Sequence, residues 1–225
     1  METEVVLFDF DGVIANTEES NAAYLEKALA AFGIQLADED RKALIGTNDK
    51  TRIESLLSRS SVKVTAEDLA GKRRQVGNTY ENSCIRPMPG VVSLIQDIRG
   101  RGLKTGLVTS TSTRLIMIAL NRMKMTGLFD VIICGDMCAN CKPDPECYKM
   151  AMDYLEAEPR KCIVFEDSAV GIHAARLAGA RVAAYRGSGI RQDVSEADFI
   201  VDSYEVCRDR MDDIINRNRV YRNIP

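Results

Sequence analysis

The chain has a single histidine, His173, among its 225 residues, and it has no long apolar run. His173 lies among small residues in GIHAARLAG and reads as a packing or surface residue, so no Ser–His or Cys–His nucleophile competes for the chemistry. The apolar runs fall far short of the roughly 20 residues a spanning helix needs, which argues against a membrane protein. The N-terminus is acidic and lacks a basic start followed by an apolar region, so no signal peptide is visible and a cytoplasmic location is expected. A formal net charge of only −3, with the basic residues scattered, makes nucleic acid a poor partner. There is no internal repeat and no low-complexity stretch; a monomer is the default expectation, with a dimer open. Without a secretory signal the 7 cysteines read as reduced thiols. Cys134, Cys138, Cys141 and Cys147 raise the question of zinc, but one CxxC pair with no histidine nearby favours unpaired thiols. A Cys138–Cys141 disulfide that displaces the adjacent Lys142 under oxidation is conceivable, with inert thiols the plainer reading.

What the chain does have is a repeated alternation. Short apolar, often β-branched runs at Val5–Phe10, Lys104–Val108, Val131–Cys134, Cys162–Phe165, Val182–Tyr185 and Phe199–Val201 alternate with helical patterns. The helices are expected at Val91–Arg99, Thr113–Met125, Pro145–Leu155, Ala169–Ala178 and Tyr204–Asn216, with Gly100 and Gly179 as left-handed ends. This is the signature of an α/β fold, a Rossmann-like doubly wound parallel sheet. Residues 16–86 are helical in pattern and too long for an ordinary crossover, so they are expected to form an inserted α-helical cap domain. Residues 1–15 and 87–225 then make the core domain, entered through the stiff stretch Arg86-Pro87-Met88-Pro89-Gly90.

In an open α/β sheet ligands bind beyond the carboxyl ends of the strands. At those ends stand Asp9 and Asp11, then Thr109-Ser110-Thr111, Lys142-Pro143-Asp144-Pro145, and Glu166-Asp167-Ser168. Four converging carboxylates repel one another unless a cation neutralises them, and an all-oxygen donor set suits Mg2+. Hydroxyls and backbone N–H groups at the start of the Thr113 helix, with the Lys142 ammonium, make an anion site. Together these describe phosphoryl transfer, with a carboxylate as nucleophile: Asp9 attacks phosphorus and Asp11 serves as general acid and base.

DFDGV, LVTS, the lysine of CKPDPECY and the acidic pair of VFEDSAVGIHAA resemble, in order, the four motifs of the haloacid dehalogenase superfamily. The subgroup with a helical cap after the first motif, which includes β-phosphoglucomutases and phosphoglycolate phosphatases, is the nearest match. The resemblance implies Asp9 as nucleophile and Asp11 as acid/base. It implies Thr109 as the phosphate-binding hydroxyl, Lys142 as charge stabiliser, and Glu166 and Asp167 as the metal pair, with Asp9 and the Asp11 carbonyl also contacting Mg2+. Gly12, Thr17, Asn21, Gly46, Thr47, Asn48, Lys50 and Ser110 are expected to contact substrate, a small phosphorylated metabolite such as a sugar phosphate. Asp11 argues against dehalogenation, where no leaving oxygen needs a proton. A β-phosphoglucomutase-type mutase is the rival reading, weakened because Asn21 stands where that group has a cap histidine. A non-catalytic binding module of this fold is the other alternative.

Overall fold

A computed structural model describes residues 3–44, 50–189, 192–216 and 223–224, and of these the side chains at 42–44, 50–51 and 223–224 are not described. The chain divides into two compact units, residues 1–16 with 86–225 and residues 17–85.

In the larger unit, seven strands form one sheet in which every pairing is parallel: β1 (Val5–Phe8), β2 (Lys104–Val108), β3 (Val131–Ile133), β4 (Cys162–Glu166), β5 (Arg181–Tyr185), β6 (Phe199–Val201) and β7 (Asn223–Ile224). Their order is β3-β2-β1-β4-β5-β6-β7, the doubly wound arrangement that α/β alternation predicts. Both faces of β1 are buried, as expected of a central parallel strand. Val5 and Leu7 join a core with Tyr148, Met152, Val164, Ile172 and Val182, while Phe8 stacks on Phe165 at 5.0 Å. Phe165 in turn meets Tyr204, whose ring stacks on Tyr185 at 4.0 Å.

The helices of this unit are α6 (Val91–Gly100), α7 (Thr113–Met123), α8 (Glu146–Tyr154), α9 (Ala169–Leu177), α10 (Tyr204–Asp209) and α11 (Met211–Asn216). Register fixes what comes next. Phe8 pairs with both Leu107 and Phe165, so the following residues Asp9, Val108 and Glu166 arrive at one level at the carboxyl end of the sheet.

Several boundaries differ from the sequence expectation. β1 stops at Phe8, because the backbone turns there instead of continuing to Phe10. Gly100 stays inside α6 and Gly102 takes the left-handed conformation, φ +81°. α7 ends early at left-handed Lys124, and residues 126–128 form a separate 3-10 turn. The single helix expected over 204–216 is two, since the chain leaves helical geometry at Arg210 (φ −109°, ψ 13°), whose N–H bonds back to the Cys207 carbonyl at 3.1 Å, and α11 starts afresh. Gly179 is left-handed as expected.

The smaller unit is helical: α1 (Glu18–Ala30), α2 (Asp38–Leu44), α3 (Lys50–Leu57), α4 (Ala66–Val76) and α5 (Thr79–Asn82). Leu25, Leu29, Ile34, Leu56 and Leu69 form its own core. A capping box between Thr65 and Asp68 starts α4. Among the described residues no helix is long and apolar enough to cross a membrane.

Phe165 is the shared wall between β1 and Tyr204 and is fully buried. Phe165→Ala is expected to cost about 3–5 kcal/mol in urea unfolding with the m-value unchanged; a loss below about 1 kcal/mol would contradict this packing.

Candidate active site

The first motif is a strand end followed by a tight turn. Asp9 N–H makes the last ladder bond, to the Phe165 carbonyl at 3.0 Å. The Phe10 carbonyl then accepts from Ile14 and Ala15, and Gly12 N–H bonds to the Ala15 carbonyl. Gly12 is needed twice over: its φ is +79°, and a Cβ there would collide with the Asp167 carboxylate. The turn sends the two aspartates to different partners. Asp9 is buried and faces Lys142, whereas half-buried Asp11 accepts from Thr111 Oγ1 at 2.9 Å.

Lys142 is the single ammonium between two buried carboxylates, 2.6 Å from Asp9 Oδ1 and 2.7 Å from Glu166 Oε1. Its third donor reaches the Val108 carbonyl at 3.0 Å. Glu166 collects further donors: Tyr148 OH on Oε1, and Asp167 N–H, Ser168 N–H and Ser168 Oγ on Oε2, all at 3.0–3.1 Å. Burial works against the Lys142 charge, but the carboxylates of Asp9 and Glu166 outweigh it and hold the ammonium charged well above its ordinary range. Burial pushes the Asp9 carboxyl up to about 8; Lys142 opposes this, and the Glu166 and Asp11 charges reinforce it.

Asp9, Glu166 and Asp167 each offer a carboxylate oxygen, all within 4.8 Å of one another and all three residues buried. Three buried carboxylates held this close, with hard oxygen donors, fit a divalent cation.

The loop that carries Lys142 is held at several points. Glu146 accepts from Ala139 N–H, Asn140 N–H and Asn140 Nδ2. The Lys142–Pro143 peptide bond is cis. A disulfide joins Cys138 to Cys147 across nine residues of sequence, which corrects the expectation of reduced thiols at these two positions; Cys141, the alternative partner considered for Cys138, is a free thiol. Cys147 is brought to Cys138 because α8 returns under the loop; Cys141 is exposed, with its thiol toward the Gly135 carbonyl. After β3, Gly135 packs so tightly on the Ser110 backbone that no Cβ would fit, and Gly135 N–H bonds to the Thr111 carbonyl. Asp136 accepts from both N–H and Oγ1 of Thr113 at the start of α7.

The structure thus brings together Asp9, Lys142, Glu166 and Asp167, with Gly12 against Asp167. Thr109 is buried directly after β2, its hydroxyl accepting from Thr111 N–H, and Ser110 is exposed. Thr17 and Asn21 lie in the helical unit, where Asn21 N–H bonds to the Thr17 carbonyl in the first turn of α1. Gly46, Thr47 and Asn48 fall outside the described residues, and Lys50 opens α3 with its side chain not described. His173 is half-exposed and pairs with Glu196 at 2.9 Å. Sequence reasoning passed over Tyr148 and placed Thr111 and Ser168 at the strand ends without a role; the tyrosine's place three residues after Pro145, on the first turn of α8, is the signal that could have found it.

A carboxyl whose folded pKa stands above its unfolded value near 3.8 binds more protons folded than unfolded. Its contribution therefore favours the fold below about pH 4 and is lost as pH rises through about 8. In chelator, Asp9→Asn is expected to gain on the parent by about 2–4 kcal/mol more at pH 8 than at pH 5. Urea unfolding at the two pH values measures this; a difference independent of pH would contradict it.

Comparison with known proteins agrees with this geometry. The profile of haloacid dehalogenase-like hydrolases matches residues 6–185. A phosphorylated carbohydrates phosphatase of Thermotoga maritima is 26% identical over 213 residues, 95% of this chain and 97% of that protein. The CbbY protein of Rhodobacter capsulatus is 32% identical over 210 residues, 88% of this chain and 92% of that protein. A crystal structure of CbbY from Rhodobacter sphaeroides in complex with xylulose-1,5-bisphosphate superposes with a TM-score of 0.74 at 28% identity, covering 91% of this chain and 95% of that one. The chain belongs to the haloacid dehalogenase-like hydrolases.

Proposed function

We propose that the protein is a Mg2+-dependent phosphatase that hydrolyses a small phosphorylated carbohydrate, or a related phosphomonoester, through an aspartyl phosphate on Asp9. The observation that carries this reading is the pairing of a buried, lysine-bound carboxylate, Asp9, with a second aspartate two residues on that is held separately. The relatives support the substrate class: they are similar over nearly the whole chain, and their names specify phosphorylated carbohydrates and a sugar bisphosphate.

In the first step Asp9 Oδ attacks phosphorus, the bond from phosphorus to the leaving oxygen breaks, and Asp11 gives its proton to that oxygen. In the second, Asp11 takes a proton from water, the resulting hydroxide attacks phosphorus, and the Asp9–phosphate bond breaks. Asp9 is thereby freed and Asp11 reprotonated, so one water is consumed per phosphate released. Lys142 holds Asp9 in place for attack and offers positive charge to the transferring group. The Thr109 hydroxyl serves the phosphate oxygens. Asp9, Glu166, Asp167 and the Asp11 carbonyl would hold Mg2+, whose charge keeps Asp9 ionised at neutral pH and neutralises phosphate. The helical unit serves to select the leaving group, with Thr17 and Asn21 as its candidate specificity residues.

Phosphate release with Mg2+ from a panel of phosphosugars, phosphoglycolate, nucleotides and pyrophosphate tests the reading. Turnover should be confined mainly to phosphosugars, fall by at least about 10³-fold in Asp9→Asn, and vanish in chelator. Glucose 6-phosphate formed from β-glucose 1-phosphate without free phosphate would instead identify a mutase. Binding of Mg2+ at 100 times its Kd should add about 2.7 kcal/mol of stability, and Asp167→Asn should remove most of that gain.

A further inference from the structure

We propose that Thr111 is the positioning residue for Asp11, fixing the direction of its carboxyl; this rests on the phosphatase reading above. Thr111 Oγ1 donates to Asp11 Oδ2 at 2.9 Å. Lys142 cannot do this work: its three donors go to Asp9, Glu166 and the Val108 carbonyl.

The hydroxyl of Thr111 is itself set rigidly. Its N–H donates to Thr109 Oγ1 at 3.1 Å and its carbonyl accepts from Gly135 N–H at 3.0 Å. Gly135 can approach only because it lacks a side chain, since a Cβ would run into the Ser110 carbonyl. Threonine adds a branched Cβ with few χ1 choices. The donor thus belongs to a braced turn between β2 and α7, while its acceptor stands on the separate turn after β1.

A positioning role predicts a defect that depends on whether the leaving oxygen needs a proton. The test compares kcat/KM for an alkyl phosphate with kcat/KM for 4-nitrophenyl phosphate, whose phenolate leaves unprotonated. This parameter reports events up to leaving-group departure, so the later basic role of Asp11 does not enter. In Thr111→Val the alkyl-to-aryl ratio should fall by about tenfold or more, a part of the 10²–10⁴ that general acid catalysis supplies. Thr111→Ser should restore the ratio, and Thr111→Ala, which also lacks the hydroxyl, should match Thr111→Val should the latter fold poorly. An unchanged ratio in both hydroxyl-free variants, or an equal loss on both substrates, would overturn the assignment while leaving the phosphatase intact. Failure of the parent protein to release phosphate from any of the phosphosugars, one of which serves as the alkyl phosphate, would overturn the phosphatase reading itself.

Discussion

Everything at the carboxyl end of the sheet depends on one ammonium shared by two buried carboxylates. Lys142 touches Asp9 and Glu166 at 2.6 and 2.7 Å, and its side chain is almost fully excluded from solvent. A buried ion pair seldom strengthens a fold by itself, because desolvation offsets the attraction. Its presence here is better understood through the carboxylates around it. Asp9, Glu166 and Asp167 lie within 4.8 Å of one another beside it, and the raised Asp9 value reflects how this burial and crowding disfavour charge. Such a cluster could hold a cation, which is the guest the phosphatase reading requires.

The rest of the core domain serves this arrangement. Parallel register delivers Asp9, Val108 and Glu166 to the same level, so the backbone carbonyl that takes the third Lys142 donor is supplied by strand pairing alone. Tyr148, Ser168 and the Asp167 N–H fix both oxygens of Glu166, which turns a flexible side chain into a fixed anchor for the lysine. The loop bearing Lys142 is in turn closed by the Cys138–Cys147 disulfide and by Glu146. Lys142 enters from a loop, yet it is held as firmly as a residue on a strand.

Much of this was legible in the sequence because it rests on local rules. Buried parallel strands announce themselves as apolar runs, and acids or hydroxyls directly after those runs mark the carboxyl ends of the sheet. The features that escaped depend on distant pairings. Nothing local says that Cys147 rather than Cys141 meets Cys138, since that choice is made by the return of α8. The break at Arg210 has no proline or glycine to signal it. Tyr148 looks like an ordinary core aromatic in a helix, and only its hydroxyl, 3.0 Å from Glu166, separates it from one. The two-residue strand β7 is too short for any periodicity to show.

The two aspartates of the first motif illustrate how a turn creates a division of labour. Had β1 continued, Asp9 and Asp11 would have shared one face of the sheet and one charge environment. Gly12, left-handed and pressed against the Asp167 carboxylate, allows the chain to turn at once. Asp9 then stays in the buried, lysine-bound position that suits a nucleophile, while Asp11 moves out to a neutral hydroxyl partner. Two identical side chains two residues apart thus meet different partners, which is what the proposed division into nucleophile and general acid requires, and the difference begins with one glycine.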